Sequence, residues 1–69
     1  MSSNNYSSKL YVFEIGVPRT EIIIYKVIAK SASEAIERIK TRDQVEIVKV
    51  VPASLNNRAT HVVSKRLVE

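Results

Sequence analysis

The chain has 69 residues, with 11 Lys and Arg against 7 Asp and Glu, a net charge of +4 and a pI near 9.7. It has no cysteine and one histidine, His61, which excludes a disulfide framework, a thiolate metal site and a multi-histidine site. No apolar run approaches the ~20 residues of a membrane-spanning helix, and a chain this short buries only about 60% of the surface its unfolded form exposes.

One domain is therefore expected. The first eight residues, MSSNNYSS, are polar and read as a disordered tail. They hold no apolar segment of the kind a secretory signal carries, so a cytoplasmic location is expected. From Glu21 to Glu46 five acids balance five bases. The basic excess lies outside, at Lys9, Arg19, Lys49, Arg58, Lys65 and Arg66. Such a balance favours polyanions or acidic protein surfaces as partners.

Lys9–Ile15, KLYVFEI, is dense in aromatic and β-branched residues and reads as a strand. Gly16-Val17-Pro18-Arg19-Thr20 reads as the turn of a hairpin, with Arg19 exposed at its tip. Glu21–Lys30 is the second strand. Its odd positions, Ile23, Tyr25, Val27 and Ala29, are assigned to the side that meets a helix.

That helix begins at Ser31-Ala32-Ser33-Glu34, a capping box. The Ser31 hydroxyl is expected to accept from the Glu34 N–H, and the Glu34 carboxylate to reach back to the Ser31 N–H. Ala32, Ala35, Ile36 and Ile39 fall at helical spacing on one face. Glu34 and Glu37 come early and Arg38, Lys40 and Arg42 late, which complements the helix dipole. Glu34 and Arg38 form an i,i+4 pair. Thr41–Gln44 is a polar connection.

Val45–Val51, VEIVKVV, is a third strand stopped by Pro52, with Val45 and Ile47 assigned to the helix side. A helix between the second and third strands reads as a crossover, placing those strands parallel or the third beyond the first. Residues 53–58 read as loop. Ala59–Val68 suits a fourth, edge strand, although Leu55, Ala59, Val62, Val63 and Arg66 also fit one helical face; the strand is preferred.

The fold class is thus α+β: one short helix packed on a small three- to four-stranded sheet, in the order β-β-α-β with a further strand at the end. The chain divides into a tail at 1–8, a core domain at 9–52 and an extension at 53–69 that serves as edge strand or lid.

One helix covers one sheet face, yet both faces look apolar. Leu10, Val12, Ile22, Ile24, Ile28, Val48 and Val50 are left on the far side, where a wetted sheet shows polar alternation. A contiguous apolar patch of that extent marks an interface. A folded-back extension, a second copy or a foreign partner are the three candidate covers.

No nucleophile–base pairing, HExxH helix or glycine-rich phosphate loop is present, and no cofactor, metal or small-molecule substrate is expected. His61 has no evident partner. Tyr11 and Phe13 alternate like a stacking platform for single-stranded nucleic acid, but apart from Lys9 no basic residue flanks them closely in sequence, so core packing is the reading.

The stretches Tyr11–Glu14, Tyr25–Ala29, Ser33-Glu34-Ala35-Ile36-Glu37 and Val45-Glu46-Ile47-Val48-Lys49-Val50-Val51-Pro52 together resemble the small early proteins by which some podophages inhibit bacterial RNA polymerase. The resemblance covers Tyr11–Pro52 and lies in the order of strand, strand ending in alanine, cap, helix and strand ending in proline. It implies a phage-encoded protein-binding module. In that family basic residues of the last strand are implicated in polymerase binding. Lys49 stands at one such position, whereas Val51 stands where a second basic residue is expected.

The expectation is a non-enzymatic module that binds a host protein such as RNA polymerase, through Arg19, Lys49, Ile22, Ile24 and Ile28. Two alternatives accompany it. One is a dimeric nucleic-acid-binding protein using Lys9, Arg58, Lys65 and Arg66. The other is a structural subunit that self-associates as a homodimer or larger assembly.

Overall fold

A computed structural model describes residues 9–53 and 58–68. The tail at 1–8, residues 54–57 of the loop and Glu69 lie outside the described residues.

The elements are β1 (Tyr11–Pro18), β2 (Ile22–Ala29), α1 (Ala32–Thr41), β3 (Glu46–Val51) and β4 (His61–Leu67). They build an α+β fold in which one helix packs on a four-stranded sheet of order β3-β2-β1-β4. Every neighbouring pair is antiparallel. The extension ends in an edge strand, β4, and not in a helix.

Register explains the core. Tyr11, Phe13, Ile15 and Val17 face Ala29, Val27, Tyr25 and Ile23 across β1 and β2, which gathers the odd residues of both strands on one face. Phe13, Ile15, Tyr25, Val27 and Ala29 are buried there with Ala35 of the helix, and Ala32, Ile36 and Ile39 pack around them. Fully burying a side chain such as Phe13, Ile15 or Val27 stabilises by about 1.5–3 kcal/mol.

The helix starts as a capped segment. Glu34 N–H donates to Ser31 Oγ at 3.2 Å, while Glu34 Oε1 accepts from Lys30 N–H at 2.7 Å rather than from Ser31 N–H. The reciprocal bond thus reaches one residue further back than the capping-box pattern implies. At the other end Arg42 is left-handed, φ 58°, with its N–H donating to Ile39 O and the Asp43 N–H donating to Arg38 O. Arg42 occupies the position that glycine usually fills in this closing motif.

The crossover expectation is overturned: β3 lies beside β2 and antiparallel to it. Arg42 and Gln44, both at positive φ, then turn the chain so that β3 enters opposite Lys26.

The hairpin turn is also shorter than expected. β1 continues through Gly16, Val17 and Pro18, and only Arg19–Glu21 turn. Both edge strands carry a bulge, one residue extra at Val48 on β3 and one at Val63 on β4.

The far face is not the open apolar sheet expected. Ile22 and Ile24 are only 2% and 3% exposed. Register sets Pro18 and Val51 on either side of Ile22, and Gly16 and Lys49 on either side of Ile24. Ile28, beyond the end of β3, is 45% exposed. Val50 pairs with Ile23 and so shares the helix face. Ile47 lies opposite Tyr25 on that face as assigned, but the helix does not reach it and it is 57% exposed. The surplus apolar surface therefore sits on the edge strands, at Ile47, Val48 and Val50 and at Val62, Val63 and Leu67.

Candidate functional site

Among the described residues, concavities open on either side of the helix. The larger, about 280 Å³, is lined by Lys26, Ile28, Arg38, Gln44, Val45 and Glu46. Its charges lie beside opposite or polar groups of the same chain. Arg38 lies 3.7 Å from Glu34 and donates to Gln44 Oε1 at 3.2 Å, and Glu46 stands in register with Lys26.

The smaller concavity, about 150 Å³, differs in charge. Its floor is apolar, made by Val17, Tyr25, Ile36 and Ile39. Its rim carries Arg19, Lys40 and Arg42, with Thr60 completing the wall. No acidic residue lines it, and none of the three cations forms an ion pair among the described residues.

The local fold dictates this convergence. Pro18 ends β1, and Arg19 follows in a turn closed by its N–H donating to Glu21 O at 2.7 Å. That puts Arg19 at the exposed hairpin tip, as expected. Lys40 and Arg42 belong to the last turn and cap of α1, where the negative end of the helix dipole favours cations. The left-handed closure pins the Arg42 backbone with two hydrogen bonds. Antiparallel return then brings hairpin tip and helix end to one side of the sheet. The pocket can receive an apolar group that carries, or lies beside, a negative charge.

Of the residues singled out from sequence, only Arg19 joins this site. Lys49 is exposed on β3 but stands in register with Ile24, on the opposite sheet face. Ile22 and Ile24 are buried and present no surface to a partner, because β2 is a central strand with neighbours on both sides. Ile28 lines the larger, charge-balanced groove. Lys40 and Arg42 were legible in the sequence only as helix-end charges, since their meeting with Arg19 is a tertiary event.

The basic residues of the last third do not converge either. Lys65 is in register with Phe13 and Arg66 with Val12, so the two project to opposite faces. Lys9 and Arg58 are exposed outside the strands. Lys65 Nζ lies 4.4 Å from the centroid of the Tyr11 ring, a contact that sequence spacing did not reveal. Phe13 is 1% exposed, which leaves it no face for a base to stack on.

His61 has a partner after all: its Nδ1 donates to Ala59 O at 2.8 Å. Among the described residues no three His, Asp or Glu side chains are grouped to hold a metal ion. No helix among them is long and apolar enough to cross a membrane. No protein-family model, no curated protein and no solved structure matches this chain.

Proposed function

We propose that the chain is a non-enzymatic protein-binding module that docks an acidic segment of a partner protein against the Arg19–Lys40–Arg42 pocket. One observation carries this reading: three cations from two separate elements rim one apolar pocket that no acid among the described residues lines. Apolar floor and cationic rim together favour a peptide segment in which a hydrophobic side chain neighbours Asp or Glu. Guanidinium groups suit such a partner because their planar donors match a carboxylate bidentately. The overall charge of +4 aids encounter with an acidic surface.

The resemblance to podophage inhibitors makes bacterial RNA polymerase the host target to test first. Binding to purified polymerase, followed by interferometry after nuclease treatment, should give saturable association. Arg19→Glu and Arg42→Glu should each weaken it about tenfold or more, since each turns an attraction into a repulsion. Lys49→Glu, on the opposite face, separates this pocket from the strand position that the resemblance points to. Loss of binding with Lys49→Glu and none with the pocket variants would overturn the pocket reading. Absence of any binding removes the polymerase as partner.

The nucleic-acid alternative has less support, because Lys65 and Arg66 diverge and Phe13 is sealed. It predicts affinity for oligonucleotides that falls steeply with salt.

A further inference from the structure

We propose that two copies of the chain pair through β3, antiparallel and about a two-fold axis, in a register set by Glu46 and Lys49.

β3 is an edge strand, and Glu46, Ile47, Val48, Lys49 and Val50 are all exposed. Among the described residues no strand pairs with its outer edge, whose backbone donors and acceptors lie beside apolar side chains, the combination that invites another strand. The bulge makes the pairing selective. Because Val48 is the extra residue, Glu46 and Lys49 share one sheet face, in register with Lys26 and Ile24. In a regular strand residues three apart point to opposite faces. A two-fold axis through Ile47-Val48 therefore sets Glu46 opposite the partner's Lys49, and Lys49 opposite the partner's Glu46. It also sets Val45 opposite Val50 and matches bulge to bulge.

A charge row within one chain supports this register. Glu14, Lys26 and Glu46 lie side by side across β1, β2 and β3, alternating in sign. The row ends at the edge on an acid. Lys49 from a second copy continues the alternation as Glu14–Lys26–Glu46–Lys49. Opposite charges directly across a strand pair stabilise and like charges destabilise. A regular foreign strand, or a copy shifted by one residue, meets a bulge it does not match and loses this pairing.

The other edge cannot do the same. β4 carries His61, Lys65 and Arg66 and no acid, so no register of self-pairing sets opposite charges across it. One edge with a self-complementary charge pair and one without favour a closed dimer over a growing sheet.

Sedimentation equilibrium of the full chain tests this, with circular dichroism confirming the fold of each variant. Wild type should dimerise. Glu46→Lys and Lys49→Glu should each weaken the dimer about tenfold or more, as two symmetric contacts turn repulsive. The double variant E46K/K49E should recover wild-type affinity. The chain has no cysteine, so Val48→Cys offers one thiol near the axis; it should crosslink to itself under mild oxidation far faster than Val63→Cys on β4. Four results would each overturn the proposal: a wild-type monomer at millimolar concentration, a dimer insensitive to both charge reversals, no recovery in the double variant, or assemblies larger than two. The pocket variants Arg19→Glu and Arg42→Glu leave β3 untouched, so failure here is distinguishable from failure of the docking reading.

Discussion

The imidazole of His61 lies over the backbone of Gly16, so closely that a Cβ built at Gly16 would stand 2.8 Å from the ring. The two residues are register partners across β1 and β4. Ile22 Cγ2 approaches the same point from β2, at 3.2 Å. The only glycine in the chain is thus a packing site within a strand, not the turn residue its neighbours Pro18 and Arg19 imply.

Gly16→Ala should therefore destabilise by about 1–2 kcal/mol, the cost of overpacking. The His61 ring must move, which strains or breaks its bond to Ala59 O. In a His61→Ala background the same substitution should cost clearly less, because only the Ile22 Cγ2 contact remains to be accommodated and alanine is favoured over glycine in a strand by about 0.5–1 kcal/mol. Urea unfolding of the four proteins checks this, and equal effects in both backgrounds would remove the ring from the explanation.

Ser31→Ala should cost about 1 kcal/mol by orphaning the Glu34 N–H. Glu34→Ala removes a different bond, the one to the Lys30 N–H, along with the Arg38 ion pair. The exposed pair contributes under about 1 kcal/mol, so most of that loss belongs to the backbone contact. Arg38→Ala, compared in thermal melts, should then be the mildest of the three.

Arg42→Gly separates stability from binding. A left-handed non-glycine residue costs roughly 1–2 kcal/mol, and glycine removes that strain while keeping both backbone bonds of the helix closure. The variant should melt several degrees higher, since about 1 kcal/mol shifts a domain of this size by roughly 4–8 °C. It also deletes one cation of the pocket rim. Partner affinity should fall as thermal stability rises, an outcome that misfolding cannot produce.

Ile24 and Ile28 lie on one face of one strand yet differ in burial. Ile24→Ala should cost about 2–4 kcal/mol, as for a buried aliphatic residue. Ile28→Ala should stay within about 0.5 kcal/mol, as for a surface site. Total stability for 69 residues is roughly 3–10 kcal/mol, so Ile24→Ala removes a large share of it. Similar losses for the two would restore the symmetric apolar face that alternation implies.

Local chemistry determined the elements of this protein. The capping box from Ser31, the stripe of Ala32, Ala35, Ile36 and Ile39, and the odd residues of the two hairpin strands are short-range patterns. They define the helix, the strands and the face that becomes the core. The same is true of Arg19 at the hairpin tip, because Pro18 and the polar residues after it leave the chain no ladder to join.

Relations between distant residues were decided only in three dimensions. Alternation along β2 treats Ile22, Ile24 and Ile28 alike, but burial depends on which strands lie beside each one. Positive φ at Arg42 and Gln44 turned β3 antiparallel, and a bulge at Val48 brought Glu46 and Lys49 to one face. Neither choice has a periodicity to read, since each rests on one residue leaving the regular pattern. The pocket rim has the same origin. Arg19 lies more than twenty residues before Lys40 and Arg42, and only the packing of a short helix over a hairpin makes them neighbours.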